Sequence, residues 1–152
     1  MKRLICALLF AALCVTPVVA QEHPEHPTHG KDAGKAKPVD VNALETAIQK
    51  IVADQSHDGW YGLKDDQTNQ TRELQLVKVH KDRLSRVAPK TYFACVDMKQ
   101  KDGTMVDVDF FLDETDHGLT MKDETVHKID GKARYDWKEK EDGTWERVPV
   151  TE

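Results

Sequence analysis

The sequence predicts an α+β domain over residues 39–152, with one N-terminal helix packed on a coiled antiparallel β-meander. Three observations carry that prediction. One stretch, Val39 to Gln55, repeats apolar residues at helical spacing. Most of the chain beyond Gln55 alternates or runs apolar over strand lengths. The pairs Asp102-Gly103, Asp130-Gly131 and Asp142-Gly143 fall between such runs. Asp-Gly is a strong hairpin signal, because a two-residue type I′ turn needs φ > 0 at both positions. Strands joined by tight turns are antiparallel, and a single amphipathic helix then covers one face of the sheet.

Residues 1–20 read as a signal peptide. Lys2 and Arg3 precede the apolar run Leu4 to Val15, and Pro17-Val18-Val19-Ala20 ends on a small residue suited to cleavage. The run is short of the roughly 20 residues that span a bilayer, so no membrane anchor is expected after signal removal. Cys14 follows Leu13, where a lipoprotein signal wants a small residue. The expected location is periplasmic or secreted. Cleavage removes Cys6 and Cys14 and leaves Cys95 with no partner for an internal disulfide. The formal net charge of -5, which becomes more acidic when Lys2 and Arg3 leave, argues against nucleic acid as a partner.

Gln21 to Pro38 has no large apolar residue and is rich in His, Pro, Gly and Lys, so residues 21–38 read as a flexible tether. The helix comes next, with Val41, Leu44, Ile48, Ile51 and Val52 on one stripe, Asp40 as N-cap, and Val39 and Leu44 placed as a hydrophobic staple. Ser56-His57-Asp58-Gly59 reads as the helix end, and Trp60 as a plug for one end of the core. Arg72 to His80 reads as a strand whose alternation changes phase between Leu76 and Val77, the mark of a bulge. Lys81 to Lys90 reads as a charged connection anchored by Leu84 and Val87.

Thr91 to Leu112 is the centre of the chain, two strands around Asp102-Gly103. A two-residue loop there pairs Phe93 with Leu112, Cys95 with Phe110 and Asp97 with Val108. The expected core is therefore Leu44, Ile48, Ile51, Phe93, Cys95, Val108, Phe110 and Leu112, with Asp107 and Asp109 on a wetter face. Leu119 to Ile129 reads as a strand weakened around Lys122 to Glu124. The turn at Asp130-Gly131 gathers Val126, Ala133, Tyr135 and Trp137 on one face. Asp142-Gly143 would extend that face by pairing Val148 with Trp137 and Val150 with Tyr135, leaving Trp145 opposite Lys140 and Lys138 opposite Arg147 on the outer side.

This layout resembles the cystatin-like fold, in which a coiled sheet wraps one helix. The inhibitory Gln-x-Val-x-Gly loop of cystatins has no counterpart in Gln75-Leu76-Val77-Lys78-Val79, so protease inhibition is not implied. The phrases Leu74-x-Leu76-Val77-Lys78-Val79-His80 and Tyr92-Phe93-Ala94-Cys95 are similar to those of small exported bacterial proteins of unknown function.

Nothing in the chain offers a nucleophile beside an oriented base, and no G-x-S-x-G occurs. The expectation is a non-enzymatic binding or interaction module for an unidentified protein or small ligand. The enzymatic alternative is a pocket like that of nuclear-transport-factor-like folds, holding two or more of His80, Asp97, Asp107, Asp109 and His127. No resident cofactor is expected in the folded domain. The tether carries the one specific metal signal. A mature N-terminus Gln21-Glu22-His23 resembles the amino-terminal copper and nickel motif, with amine, two backbone nitrogens and imidazole in a square plane. His26 and His29 repeat the imidazole every third residue, about 9 Å apart along polyproline II.

Neutral imidazole is the binding form, so Cu(II) or Ni(II) uptake by Gln21, His23, His26 and His29 is expected near neutral pH, fading as imidazole protonates below about 6.5. Calorimetric titration with Cu(II) checks this, with the mature chain binding and a chain starting at Val39 not binding. Equal uptake by both would exclude the tether.

Overall fold

A computed structural model describes residues 40–141 and 145–150. The leader, the tether with Gln21, His23, His26 and His29, Val39 of the staple, and the Asp142-Gly143 turn lie outside those residues. Helix α1 spans Val41–Gln55. The strands are β1 Ser56–His57, β2 Trp60–Lys64, β3 Thr71–Val79, β4 Ser85–Ala88, β5 Thr91–Gln100, β6 Met105–Thr115, β7 Gly118–Ile129, β8 Lys132–Ala133, β9 Asp136–Glu139 and β10 Trp145–Val148. The first eight form one antiparallel sheet in the order β1-β2-β3-β5-β6-β7-β8, with β4 paired to β5. The last two form a separate hairpin. The α+β class stands. Among the described residues no helix is long and apolar enough to cross a membrane.

The helix starts where expected. Asp40 Oδ1 accepts from the backbone N–H of Asn42 at 3.0 Å and of Ala43 at 3.3 Å, satisfying donors that have no partner within a first turn. Leu44, Ile48 and Val52 are buried against the sheet, and Ile51 is partly buried at the margin. The helix ends at Ser56, whose backbone turns extended while its hydroxyl donates to Val52 O at 2.6 Å. The segment after it is more than a helix end. Asp58 and Gly59 have φ of 51° and 79°, a type I′ pair that folds β1 onto β2. Trp60 is only partly buried, with the Lys101 ammonium 5.0 Å from its ring, and Tyr61 and Leu63 occupy the core instead.

The central hairpin departs from expectation by one residue. Its loop is Lys101-Asp102-Gly103, flanked by the Gln100 N–H to Thr104 O bond at 2.9 Å. Gly103 alone among the three has positive φ, at 93°, and Asp102 Oδ1 accepts from Thr104 N at 2.9 Å. This is a three-residue loop with glycine in the left-handed position. Ala94 consequently pairs with Phe110, Cys95 with Asp109, Val96 with Val108 and Asp97 with Asp107.

A slip of one residue moves every side chain to the opposite face. Ala94, Val96 and Met98 join Val106, Val108, Phe110 and Leu112 beneath α1. Phe93 and Cys95 leave that core and form a second one with Tyr135 and Trp137 on the other side. Cys95 is buried as expected, but on the opposite face from Phe110.

The Asp130-Gly131 turn has the two-residue form, with φ of 47° and 77°, and pairs Lys128 with Ala133. The β9–β10 pairing again differs by one residue: Arg147 lies opposite Trp137, Trp145 opposite Glu139 and Val148 opposite Asp136. Val150 is exposed rather than extending an apolar face. The expected bulge in β3 is present between Leu76 and Lys78 and turns Val77 out to solvent. Lys81 to Lys90 contains a 3-10 turn, Lys81–Arg83, and strand β4, with Leu84 buried.

One buried ion cluster fastens the ends of the sheet. Asp65 is fully buried after β2 and accepts from Arg72 Nε at 2.7 Å and from both terminal nitrogens of Arg134 at 2.7 and 2.9 Å. The Arg134 guanidinium, with Arg72 and two backbone N–H groups, holds its carboxyl well below the usual range. Bidentate pairing of this kind fixes geometry as well as charge, so the β2–β3 turn is locked to the segment between β8 and β9.

Candidate functional site

The face of the sheet opposite α1 carries the chemistry. β5 presents Phe93, Cys95 and Asp97 there, and β6 presents Asp107, Asp109 and Phe111 directly across. β7 adds two bulges, one between Asp107 and Val108 and one between Phe111 and Leu112. The residues left over in β7 are His127 and Lys122. A bulge re-aims a side chain that regular pleating would send elsewhere. His127 comes within 3.5 Å of Asp109, and Lys122 comes within 3.3 Å of Thr91.

Asp109 is fully buried. Its Oδ2 accepts from Tyr135 Oη at 2.8 Å and Trp137 Nε1 at 3.0 Å, and His127 Nδ1 lies 3.5 Å away. His127 Nε2 is 3.1 Å from the backbone oxygen of Tyr135, so that nitrogen carries the proton. Its ring stacks on Tyr135 with centroids 4.6 Å apart. Burial raises the Asp109 carboxyl above its ordinary range, opposed by His127 and the two donated hydrogen bonds. Burial also raises the Tyr135 hydroxyl, and it pushes the Cys95 thiol up to about 12 with help from the Asp109 charge. Cys95 is therefore an inert, protonated thiol.

A second polar pair lies at the open end of the same face. His80 Nε2 is 2.6 Å from Asp97 Oδ1, and Asp97 is the cross-strand partner of Asp107. Like charges directly opposite are unfavourable. Burial first, then the Asp97 charge, raises Asp107, while Lys128, His127 and His80 act against that rise. The wetter face expected for Asp107 and Asp109 is thus corrected: Asp109 is closed from water beneath Tyr135 and Trp137, because the shifted pairing places it over the second core.

The aromatic residues of this core build an open cleft. Phe93, Phe111 and Trp137 meet edge to face at 5.5 to 5.9 Å, an arrangement favoured by ring quadrupoles. The Arg147 guanidinium lies 5.3 to 5.6 Å from the ring centres of Tyr135, Phe111 and Trp137. Beside them a cleft of about 500 Å³ is lined by Val87, Ala88, Thr91, Phe111, Lys122, Asp123, Trp137, Trp145 and Arg147. A second cleft, about 470 Å³, lies between α1 and the β3 bulge and is lined by Glu45, Gln49 and Leu76 to Val79 with Lys81 and Asp82. None of His80, Asp97, Asp107, Asp109 and His127 lines either one.

Those five side chains do gather on one face, as three contacts rather than around one void: His80 with Asp97, Asp97 across from Asp107, and Asp109 with His127. Among the described residues no group of three or more His, Cys, Asp or Glu is placed to hold a metal ion. Gln21, His23, His26 and His29 lie outside the described residues. Sequence reasoning missed Phe111, Lys122, Trp137 and Arg147 as one lining. The available signal was the weakened alternation of Lys122 to Glu124, which marks a bulge. No protein-family model, no curated protein and no solved structure matches the chain.

The buried carboxyl sets a pH dependence. A folded pKa raised above the ordinary 3.8 means that stability is fully present below that value and is lost as pH rises through the folded one. Asp109→Asn keeps an oxygen for Tyr135 and Trp137 but does not ionise. Its urea midpoint should therefore gain on that of the native chain as pH rises above the ordinary 3.8. A difference between the two midpoints that stays constant with pH would contradict the assignment.

Proposed function

We propose that this chain is an exported, non-enzymatic binding module that takes a small ligand in the cleft between the sheet and the β9–β10 hairpin. The observation that carries the reading is the cleft itself: about 500 Å³, walled by Phe111, Trp137 and Trp145, with Lys122 and Arg147 among its lining residues. Ligand sites are commonly concave, mostly apolar and of this size, with a few polar groups for orientation. Binding is favoured over catalysis because His80, Asp97, Asp107, Asp109 and His127 line neither described cleft, and because Asp109 and His127 are closed from solvent.

Ala88 is an exposed residue of the lining, which allows the cleft to be filled without touching either core. The native chain should enhance the fluorescence of 8-anilinonaphthalene-1-sulfonate saturably, and Ala88→Trp should abolish most of that enhancement while leaving the far-ultraviolet circular dichroism unchanged. Undiminished uptake by the folded Ala88→Trp chain would place binding elsewhere.

A further inference from the structure

We infer that the cleft selects a monoanion with an aromatic body, of the kind represented by an aromatic carboxylate. The inference rests on the reading of this cleft as the ligand site and names the class of ligand. Three features of the lining point the same way.

The first is charge. The lining contains Lys122 and Arg147 against one carboxylate, Asp123, so its own side chains favour an anion. The present partners of both cations are surface groups. Arg147 Nη2 reaches Asp123 at 3.2 Å, with side chains 33% and 58% exposed, and Lys122 Nζ reaches Asp113 at 3.1 Å, with side chains 51% and 36% exposed. Exposed ion pairs contribute little, so a ligand anion can take over a donor from either at small cost. A guanidinium also has five N–H donors, and Asp123 engages one terminal nitrogen.

The second is preorganisation. Arg147 Cζ lies within reach of three aromatic rings, and these contacts favour one seat for the guanidinium. β10 sits against β9 with Arg147 directly opposite Trp137, so the cation and the aromatic wall are set by the same strand pair. An anion bound there meets a cation that is already seated beside the aromatic wall.

The third is a donor without an acceptor. Trp145 Nε1 is buried and has no hydrogen-bond partner among the described residues, although Trp145 is a lining residue. Buried donors are nearly always paired in native proteins. Because Trp145 borders the cleft, a small shift of its ring on binding would let a ligand acceptor supply the missing bond, and a carboxylate has lone pairs for this nitrogen as well as for Arg147. The apolar remainder of such a ligand lies against Phe111 and Trp137, where aromatic contact is favourable.

The test is a titration of the purified chain with 2-naphthoate, its neutral analogue 2-naphthylmethanol and the cation 2-naphthylmethylammonium, followed by the indole N–H signals in nitrogen-15 correlation spectra. Naphthoate should bind at least about tenfold more tightly than the alcohol, the scale of one charge-assisted hydrogen bond, and should move the Trp145 Nε1–H resonance. Trp145→Phe, which keeps a ring but loses the donor, and Arg147→Gln should each narrow that preference, read as the ratio of the naphthoate and alcohol dissociation constants within each variant. Equal binding of the alcohol, or tighter binding of the ammonium, would overturn the anion preference and leave the cleft as a binding site. If none of the three probes moves the Trp137 and Trp145 indole signals, both the preference and the site fall.

Discussion

The structure depends on the number of residues in one turn. Lys101-Asp102-Gly103 closes β5 onto β6 with three residues, and the Asx bond from Asp102 to Thr104 N stabilises that form. From this count comes the pairing of Val96 with Val108 and of Cys95 with Asp109. One face then becomes wholly apolar and takes α1, while the other receives every carboxylate of the two facing strands' inner segment together with Phe93 and Phe111. The latter face cannot be left to water with Phe93, Cys95 and Asp109 on it. The β9–β10 hairpin and the residue that leads into it cover it, donating Tyr135 Oη and Trp137 Nε1 to Asp109.

Burying a carboxylate is costly unless its lone pairs are used. Here one oxygen of Asp109 receives both donors, and His127 stands beside it because β7 carries an extra residue at that position. The same strand repeats the device at Lys122, on the rim of the cleft. Two irregularities in β7 thus furnish a polar buried anchor and an exposed charged rim, and the aromatic wall lies between them. The buried anchor gives the hairpin a specific seat. The open cleft beside it is what remains where Trp145, Phe111 and the end of β4 do not close.

Much of this was legible in the residues. The periodicity of Val41 to Val52 and the Asp40 cap predict α1, the phase change after Leu76 predicts the β3 bulge, and Asp130-Gly131 has the type I′ form that dipeptide implies. The register of the central hairpin was not legible from the turn alone, because Asp-Gly serves a two-residue loop and also the end of a three-residue loop. The strands themselves contained the answer. Only the shifted pairing places Ala94, Val96 and Met98 with Val106, Val108 and Phe110, and separates them from Asp97, Asp107 and Asp109. β5 is also apolar on both parities from Tyr92 to Val96, the pattern of a strand covered on both sides. That pattern foretells a third layer. The site was harder, since Phe111, Lys122, Trp137 and Arg147 come from four strands and meet only through two bulges and the one-residue shift in β9–β10.

Both cores and the cleft therefore stand on the pairing of β5 with β6, and cross-strand Hα–Hα nuclear Overhauser effects read that pairing directly. In an antiparallel ladder, close Hα–Hα approaches occur between residues directly opposite each other at non-hydrogen-bonded positions. The contacts should fall within one alternating set of the pairs Ala94 with Phe110, Val96 with Val108 and Met98 with Val106, or Cys95 with Asp109 and Asp97 with Asp107. Contacts joining Cys95 to Phe110 and Asp97 to Val108 would restore the two-residue turn, return Asp109 to the opposite face, and remove both the buried anchor and the aromatic cleft.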